Sequence, residues 1–396
     1  MTGKAVICIL CCFATIFYFQ GKVTIMKIGI ITFHRAKNYG ALLQCLALYT
    51  FLKGKNYNVE IIDYRNPAIE NTYRKIPKLR KNLIKFSGSF FYSLVNYKKL
   101  KCREDNFEKI RLTMKHSREI TKENCNNLNY DVYIAGSDQL WNPLVTKGLD
   151  SMYFLDFVKS GIKSTYAMSM GTINNELFNK PFFNSLIEKI DYISMRESDA
   201  ADFIKTKKTR NDVVQSLDPT LLLSSEEWDN LLKNDNIKLP KKYVFVYYVK
   251  ENPELIKMAD KIALDYNIPI VYINVYQKSP VFYKFKSKVC NIVQADPLDF
   301  VNCVKNATFV VTSSFHATAF SCIYKKDIFI LPHNVTGSRI TSIADTFGLQ
   351  NRIYKSFEDF SKRYKNDKIR FSENKYEILK KESDDYLDII CSERHN

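Results

Sequence analysis

Three short segments combine residue types that can handle an anion and a proton, and each follows an apolar run and opens a stretch of helical periodicity. They are Phe33-His34-Arg35-Ala36-Lys37-Asn38-Tyr39-Gly40, Gly136-Ser137-Asp138-Gln139-Leu140-Trp141-Asn142-Pro143 and Thr312-Ser313-Ser314-Phe315-His316-Ala317. At a strand-to-helix turn the unpaired backbone N–H groups and the helix dipole favour an anion by about 0.3–2 kcal/mol. Gly40 lets the backbone approach a neighbour closely, while Ser313 and Ser314 can cap a helix and bond a phosphate. His316 titrates near working pH, which suits it to protonating a substrate or pairing with phosphate. The competing reading of His316 is a satisfied histidine at a helix start.

Arg196 ends a fourth apolar run, residues 192–195, and Glu197 follows it. A planar guanidinium bonds both oxygens of a carboxylate or phosphate, whereas most Arg-Glu pairs are simply solvated. Asp138 can orient or deprotonate a hydroxyl, or cap a helix. Trp141 offers a ring face to a sugar, although a core aromatic is its preferred reading. Asn38, Tyr39, Gly40 and Gln139 complete the set of candidate cleft or acceptor contacts. Some of the charge on His34, Arg35 and Lys37 reads as solvated. The sequence has no GxGxxG, Walker loop, GxSxG or HExxH, which argues against dinucleotide, P-loop, serine-hydrolase and zincin chemistry.

The elements that position these residues are legible as an alternation. Residues 27–33 and 59–64 read as strands around a helical stretch at 40–48, a βαβ unit with a right-handed crossover. Further strands are expected at 130–135, 163–169 and 192–195, with a helical stretch near 182–190. Residues 224–242 are polar and lysine-rich and read as a linker. Beyond them, strands are expected at 243–249, 270–275, 307–312 and 327–331, with helices at 253–266 and 317–324. The pattern predicts an α/β chain with parallel sheets in two halves, 26–223 and 243–396, and a site at the strand C-termini in the cleft.

Composition agrees. The 396 residues exceed one compact core, and 27 Phe with 25 Tyr supply material for two. Lys and Arg total 59 against 42 Asp and Glu, a formal charge of +17 that attracts anions. The chain shows no nucleic-acid module, so phosphorylated or membrane-bound substrates are the better reading. Ten scattered cysteines and five histidines fit a reduced cytoplasmic protein with no structural metal and no metal-binding site.

Two segments bear on membranes. Residues 5–19 form an apolar run shorter than the roughly 20 residues a spanning helix needs, and no small-x-small cleavage site follows it. Residues 1–25 therefore read first as an extension upstream of a natural start at Met26, then as an anchor, then as an export signal. Residues 73–101 cluster Arg74, Lys75, Lys78, Arg80, Lys81 and Lys85 ahead of Phe86, Phe90, Phe91 and Tyr92. That stretch is either a peripheral contact with an anionic membrane at its inner face or a pair of solvated helices.

With these segments in view, the chain resembles the polysaccharide pyruvyl transferase family through TFHRAKNYGALLQCLAL, DVYIAGSDQLWNP, YISMRESDA, LDPTLLLSSEEW and VTSSFHATAF, in that order, over most of residues 27–350. The resemblance implies two Rossmann-like domains facing a cleft, as in GT-B glycosyltransferases. It also implies phosphoenolpyruvate as co-substrate, with no cofactor, and a sugar or lipid-linked oligosaccharide diol as acceptor. The product is a cyclic pyruvate ketal in surface polysaccharide biosynthesis, with release of phosphate. The family's histidine falls on His316 and its arginine on Arg196. Several members carry a second arginine two residues before the histidine, where this chain has Ser314, and Arg339 is the candidate replacement. Arg196, Arg339, Ser313 and Ser314 are then expected to bind the donor, with His316 as acid and Asp138 as base. The competing functions are a GT-B glycosyltransferase with a nucleotide-sugar donor and a non-catalytic glycan- or anion-binding protein.

Overall fold

The apolar runs become strands because helices cover both of their faces, so nearly every side chain on them is buried. In the computed structural model, β1 (Lys27–Ile31), β2 (Asn58–Tyr64), β3 (His116–Ile120), β4 (Val132–Asp138), β5 (Ile162–Met168), β6 (Ser194–Met195) and β7 (Val214–Gln215) form a seven-stranded sheet in the order β3-β2-β1-β4-β5-β6-β7. A second sheet, β10-β9-β8-β11-β12, is built from β8 (Val244–Tyr247), β9 (Ile270–Tyr272), β10 (Val289–Asn291), β11 (Phe309–Thr312) and β12 (Asp327–Ile330). Every pairing in both sheets is parallel. The described residues are 25–72, 94–173, 176–208, 210–232, 237–248, 250, 252–273, 285–332 and 337–392. The apolar extension up to residue 24, the basic stretch from 73 to 93 and residues 233–236 of the expected linker lie outside them.

Both sheets are doubly wound, and the chain reverses direction between β1 and β4 in the first and between β8 and β11 in the second. Ligands of such sheets bind outside the strand C-termini at that reversal. The turn after β1 leads into helix α1 (Tyr39–Gly54), and the turn after β11 leads into α3 (Phe315–Ile323), so the two reversal points supply the two sides of one cleft.

Two expected boundaries are corrected. The stretch read as a linker contains helix α2 (Ser225–Leu231), started by a reciprocal capping box between Ser224 and Glu227. Its Trp228 is buried, donates Nε1–H to the Thr220 carbonyl at 3.0 Å and packs on Phe320 at 4.9 Å. The C-terminal helix α5 (Asn374–Ser392) was expected with the second half but packs on the first sheet. Tyr386 Oη donates to the Thr165 carbonyl at 2.8 Å, and Ser383 Oγ accepts from the Leu217 N–H at 2.9 Å. Contacts across some 220 positions of sequence leave no local trace. Strands β3, β7 and β10 escape the sequence reading because they are short, polar or half-exposed.

Candidate active site

The first side of the cleft is pinned by a buried polar network. Gln44 Nε2 donates to Thr32 Oγ1 at 2.9 Å, Gln44 Oε1 accepts from the Ser137 N–H at 3.0 Å, and Thr32 Oγ1 donates to the Ser137 carbonyl at 3.1 Å. This ties the ends of β1 and β4 together at the reversal point. Asn38 caps α1, its Oδ1 accepting from the Ala41 N–H at 3.2 Å. Gly40 then meets the other half: a Cβ at this position would stand 1.9 Å from His316 Nδ1 and 2.4 Å from Cγ and Cε1. Only glycine permits that approach.

The second side is the start of α3. Ser314 caps the helix, its Oγ accepting from the Ala317 N–H at 3.5 Å, while its own N–H donates to Thr312 Oγ1 at 3.0 Å. Ser313 is buried beside it. His316 in the first turn of α3 carries its Nε2 to 3.8 Å from Asp218 Oδ2. That Nε2 is buried and has no hydrogen-bond partner among the described residues. Burial holds the imidazole below the ordinary histidine range against the pull of Asp218 and Asp138, and the fields of Arg196 and Arg339 act in the same direction as burial.

Arg196 closes the site from the end of β6. It is 4% exposed and Glu197 3%, so the solvated-pair reading is overturned. Arg196 Nη1 donates to Asp218 Oδ2 at 2.8 Å, Nε donates to Glu197 Oε1 at 3.0 Å, and the guanidinium carbon lies 4.5 Å from the Phe315 ring centroid. Burial opposes the charge, but Glu197 and Asp218 outweigh it and keep Arg196 firmly protonated. Arg196 Nη2 is buried without a hydrogen-bond partner among the described residues. Arg339, on helix α4 (Gly337–Thr346), feels Arg196, Glu197, Asp138 and Asp218; burial and Arg196 lower its pKa. Asp138 ends β4 in a left-handed conformation (φ 77°), so it caps no helix; its Oδ1 accepts from the Gln139 N–H at 2.9 Å.

The structure thus gathers His316, Arg196, Arg339, Asp138, Gly40, Ser313 and Ser314 around one cleft, and adds Asp218 and Glu197. Those two were missed as site residues, although both lie inside the motifs singled out above, Glu197 just beyond the apolar run that forms β6 and Asp218 three residues beyond the short β7. A carboxylate two residues past the end of a legible apolar run is the signal that could have found Glu197, whereas Asp218 follows a strand too short to be read from sequence. Asp218 is fully engaged: Oδ1 accepts from the Thr220 N–H at 3.0 Å and from Thr220 Oγ1 at 2.7 Å, and Oδ2 also accepts from Ser137 Oγ at 3.4 Å.

Two expected cleft contacts are corrected. Trp141 is 0% exposed, stacks on Phe154 with centroids 4.7 Å apart and donates Nε1–H to the Tyr153 carbonyl at 3.0 Å. It is the core aromatic that its apolar neighbours favour. Trp141→Ala is expected to cost about 3–5 kcal/mol in a urea melt, a loss that a ring exposed to a ligand would not show. Tyr39 is likewise core, packed between Phe107 and Phe300 at 5.2 and 5.5 Å, with its hydroxyl donating to the Ala295 carbonyl at 2.9 Å. Gln139 braces its own loop, its Oε1 accepting from Asn142 Nδ2 at 2.7 Å. His34, Arg35 and Lys37 are structural here: they pair with Asp63 (2.9 Å), Glu70 (3.1 Å) and Glu104 (2.6 Å).

The family model described as polysaccharide pyruvyl transferase matches residues 38–334, from the α1 cap through His316 and stopping short of Arg339. No curated protein sequence matches significantly. Among solved structures, UDP-N-acetylglucosamine 2-epimerase from Rickettsia bellii is similar at 12% identity, with a TM-score of 0.51 over 93% of this chain and 96% of that one. UDP-GlcNAc 2-epimerase from Methanocaldococcus jannaschii is similar at 13% identity, with a TM-score of 0.50 over 90% and 99%. At such identities the likeness concerns the fold alone, which is of the GT-B type.

Proposed function

Since the chain belongs to the polysaccharide pyruvyl transferase family, we propose that this cleft moves the pyruvyl group of phosphoenolpyruvate onto two hydroxyls of a sugar, giving a ketal and phosphate. One observation carries the reading. Arg196 Nη2 and His316 Nε2 are both buried, both lack hydrogen-bond partners among the described residues, and come from opposite sides of the cleft onto Asp218. A carboxylate suits the free edge of a fixed guanidinium, and a vinylic carbon beside it needs a proton.

Arg196 orients the donor carboxylate, and Arg339 with the first turn of α3 receives the phosphate. Ser313 contributes its hydroxyl, and Ser314 keeps that helix start in register. The dianionic phosphate raises the proton affinity of His316, which protonates the methylene carbon and leaves the adjoining carbon electrophilic. Asp138 stands half-buried at the rim and orients the incoming sugar. The reaction draws on no cofactor beyond the co-substrate. Exposed Leu94, Val95 and Tyr97 beside exposed Lys98, Lys99 and Lys101 support a peripheral position on the anionic inner face of a membrane, where lipid-linked acceptors reside. No helix among the described residues is long and apolar enough to cross a membrane.

Phosphate release from phosphoenolpyruvate across a panel of sugar acceptors tests the proposal. Wild type is expected to show acceptor-dependent release, and His316→Ala and Arg196→Ala to reduce it by about 10²–10⁴-fold each in folded protein. No release by wild type, together with thermal stabilisation by a nucleotide sugar and none by phosphoenolpyruvate, overturns it.

A further inference from the structure

The carboxylates of the site are not equivalent. Asp218 has both oxygens filled by Arg196, Ser137 and Thr220. Asp138 is half-buried, and one of its oxygens accepts from the Gln139 N–H. Glu197 differs from both. Its Oε1 is held by Arg196 Nε at 3.0 Å, whereas Oε2 is buried with no hydrogen-bond donor among the described residues. A buried carboxylate oxygen without a donor is costly to keep. Ionised phosphoenolpyruvate cannot supply one, because every oxygen it carries is an acceptor. A sugar hydroxyl can.

We infer that Glu197 is the base that receives the proton of the attacking acceptor hydroxyl, an inference resting on the pyruvyl-transfer reading. Its place supports the role. Glu197 adjoins Arg196 in sequence, and its charge acts on both Arg196 and Arg339. The hydroxyl proton is therefore taken up beside the carbon that Arg196 positions. A hydroxyl adding to a cationic carbon becomes strongly acidic, so a carboxylate within reach suffices to take its proton.

The protons balance. His316 gives one to the methylene carbon, and the first hydroxyl oxygen bonds to the neighbouring carbon while its proton passes to Glu197 Oε2. The carbon–oxygen bond to phosphate then breaks, the electron pair leaves with the phosphate, and Glu197 returns its proton to that leaving group. The second hydroxyl closes the ketal, and its proton restores His316. Two hydroxyl protons are consumed, one ending in the new methyl group and one on phosphate.

Glu197→Gln keeps the oxygen that binds Arg196 Nε and removes the basic one. Donor affinity, read by calorimetry with phosphoenolpyruvate alone, is expected to stay within about threefold of wild type. Acceptor-dependent kcat is expected to fall by about 10²–10⁴-fold. Glu197→Ala is expected to regain part of its rate with added formate, a rescue that a purely structural counter-ion to Arg196 would not show. If Glu197→Gln keeps wild-type kcat, or if donor affinity collapses in parallel with the rate and formate restores nothing, the role is overturned. Failure of the underlying reading is seen separately, as wild type that neither binds phosphoenolpyruvate nor releases phosphate from it.

Discussion

Replacing Gly40 with alanine is expected to lower turnover by at least about 10²-fold, the scale set by ångström-level misplacement of a reacting group, while leaving the chain folded. The added Cβ would stand 1.9 Å from His316 Nδ1, far inside contact distance, so the imidazole must move. Its surroundings offer little room, with the Phe315 ring 5.2 Å away, Asp218 at 3.8 Å and the ring edge buried. The substitution is otherwise benign. Gly40 is the second residue of α1, and alanine is favoured over glycine within a helix by up to about 1 kcal/mol. Activity and stability should therefore separate. Stability in a thermal melt should fall only by the cost of an overpacked contact, about 1–3 kcal/mol, while phosphate release collapses. Adding Gly40→Ala to His316→Ala should cost almost nothing more, since both changes remove the same group. Full activity in Gly40→Ala would mean that His316 is not held against α1 in solution.

The second large effect is expected at Asp218. Asp218→Ala leaves the buried Arg196 guanidinium with Glu197 as its remaining ion-pair partner and strips acceptors from Ser137 and Thr220. Removing one partner of a buried pair typically costs about 3–5 kcal/mol, and Asp218 is almost completely buried. Burial works against its charge, yet the His316 and Arg196 fields and the Thr220 bonds hold its carboxyl below the usual carboxylate range. With a depressed folded-state value, the stabilisation is complete above the unfolded pKa of about 4 and is lost as pH falls through the folded value. The stability gap between wild type and Asp218→Ala should thus be widest near neutrality and shrink in acid, as denaturant melts at several pH values would show. A matched change at exposed Glu119, which pairs with Arg65 at 3.1 Å, should cost no more than about 1 kcal/mol. Equal losses at the two positions would refute a special place for Asp218.

Much of this architecture is written locally. β1, β4, β8 and β11 are short apolar runs because both faces of a doubly wound sheet are covered, and the turns after β1, β4 and β11 stand out because polar and small residues follow at once. His316, Arg196, Asp138 and Gly40 could be chosen from sequence because each sits at or just beyond such a run, where backbone donors and a helix dipole point at a ligand. β3, with exposed Arg118 and Glu119, carries no such signature.

What the chain alone could not decide was which of these residues share a site and which are spent on packing. Trp141 and Tyr39 sit in the same motifs as Asp138 and Gly40, yet rings of that size are drawn into the core wherever one is within reach, and Phe154 and Phe300 are. Glu197 and Asp218 look like ordinary surface carboxylates until folding buries Arg196 between them. The pairing of Gly40 with His316 joins positions far apart in sequence, and α5 reaches back to hold Leu217 beside Asp218. Sequence by itself therefore determined the alternating elements and the residue types at their ends, because local periodicity and capping depend on near neighbours. Only the tertiary structure decided the charge pairing, the burial and the hydrogen bonds left open, because those depend on which distant surfaces close over one another.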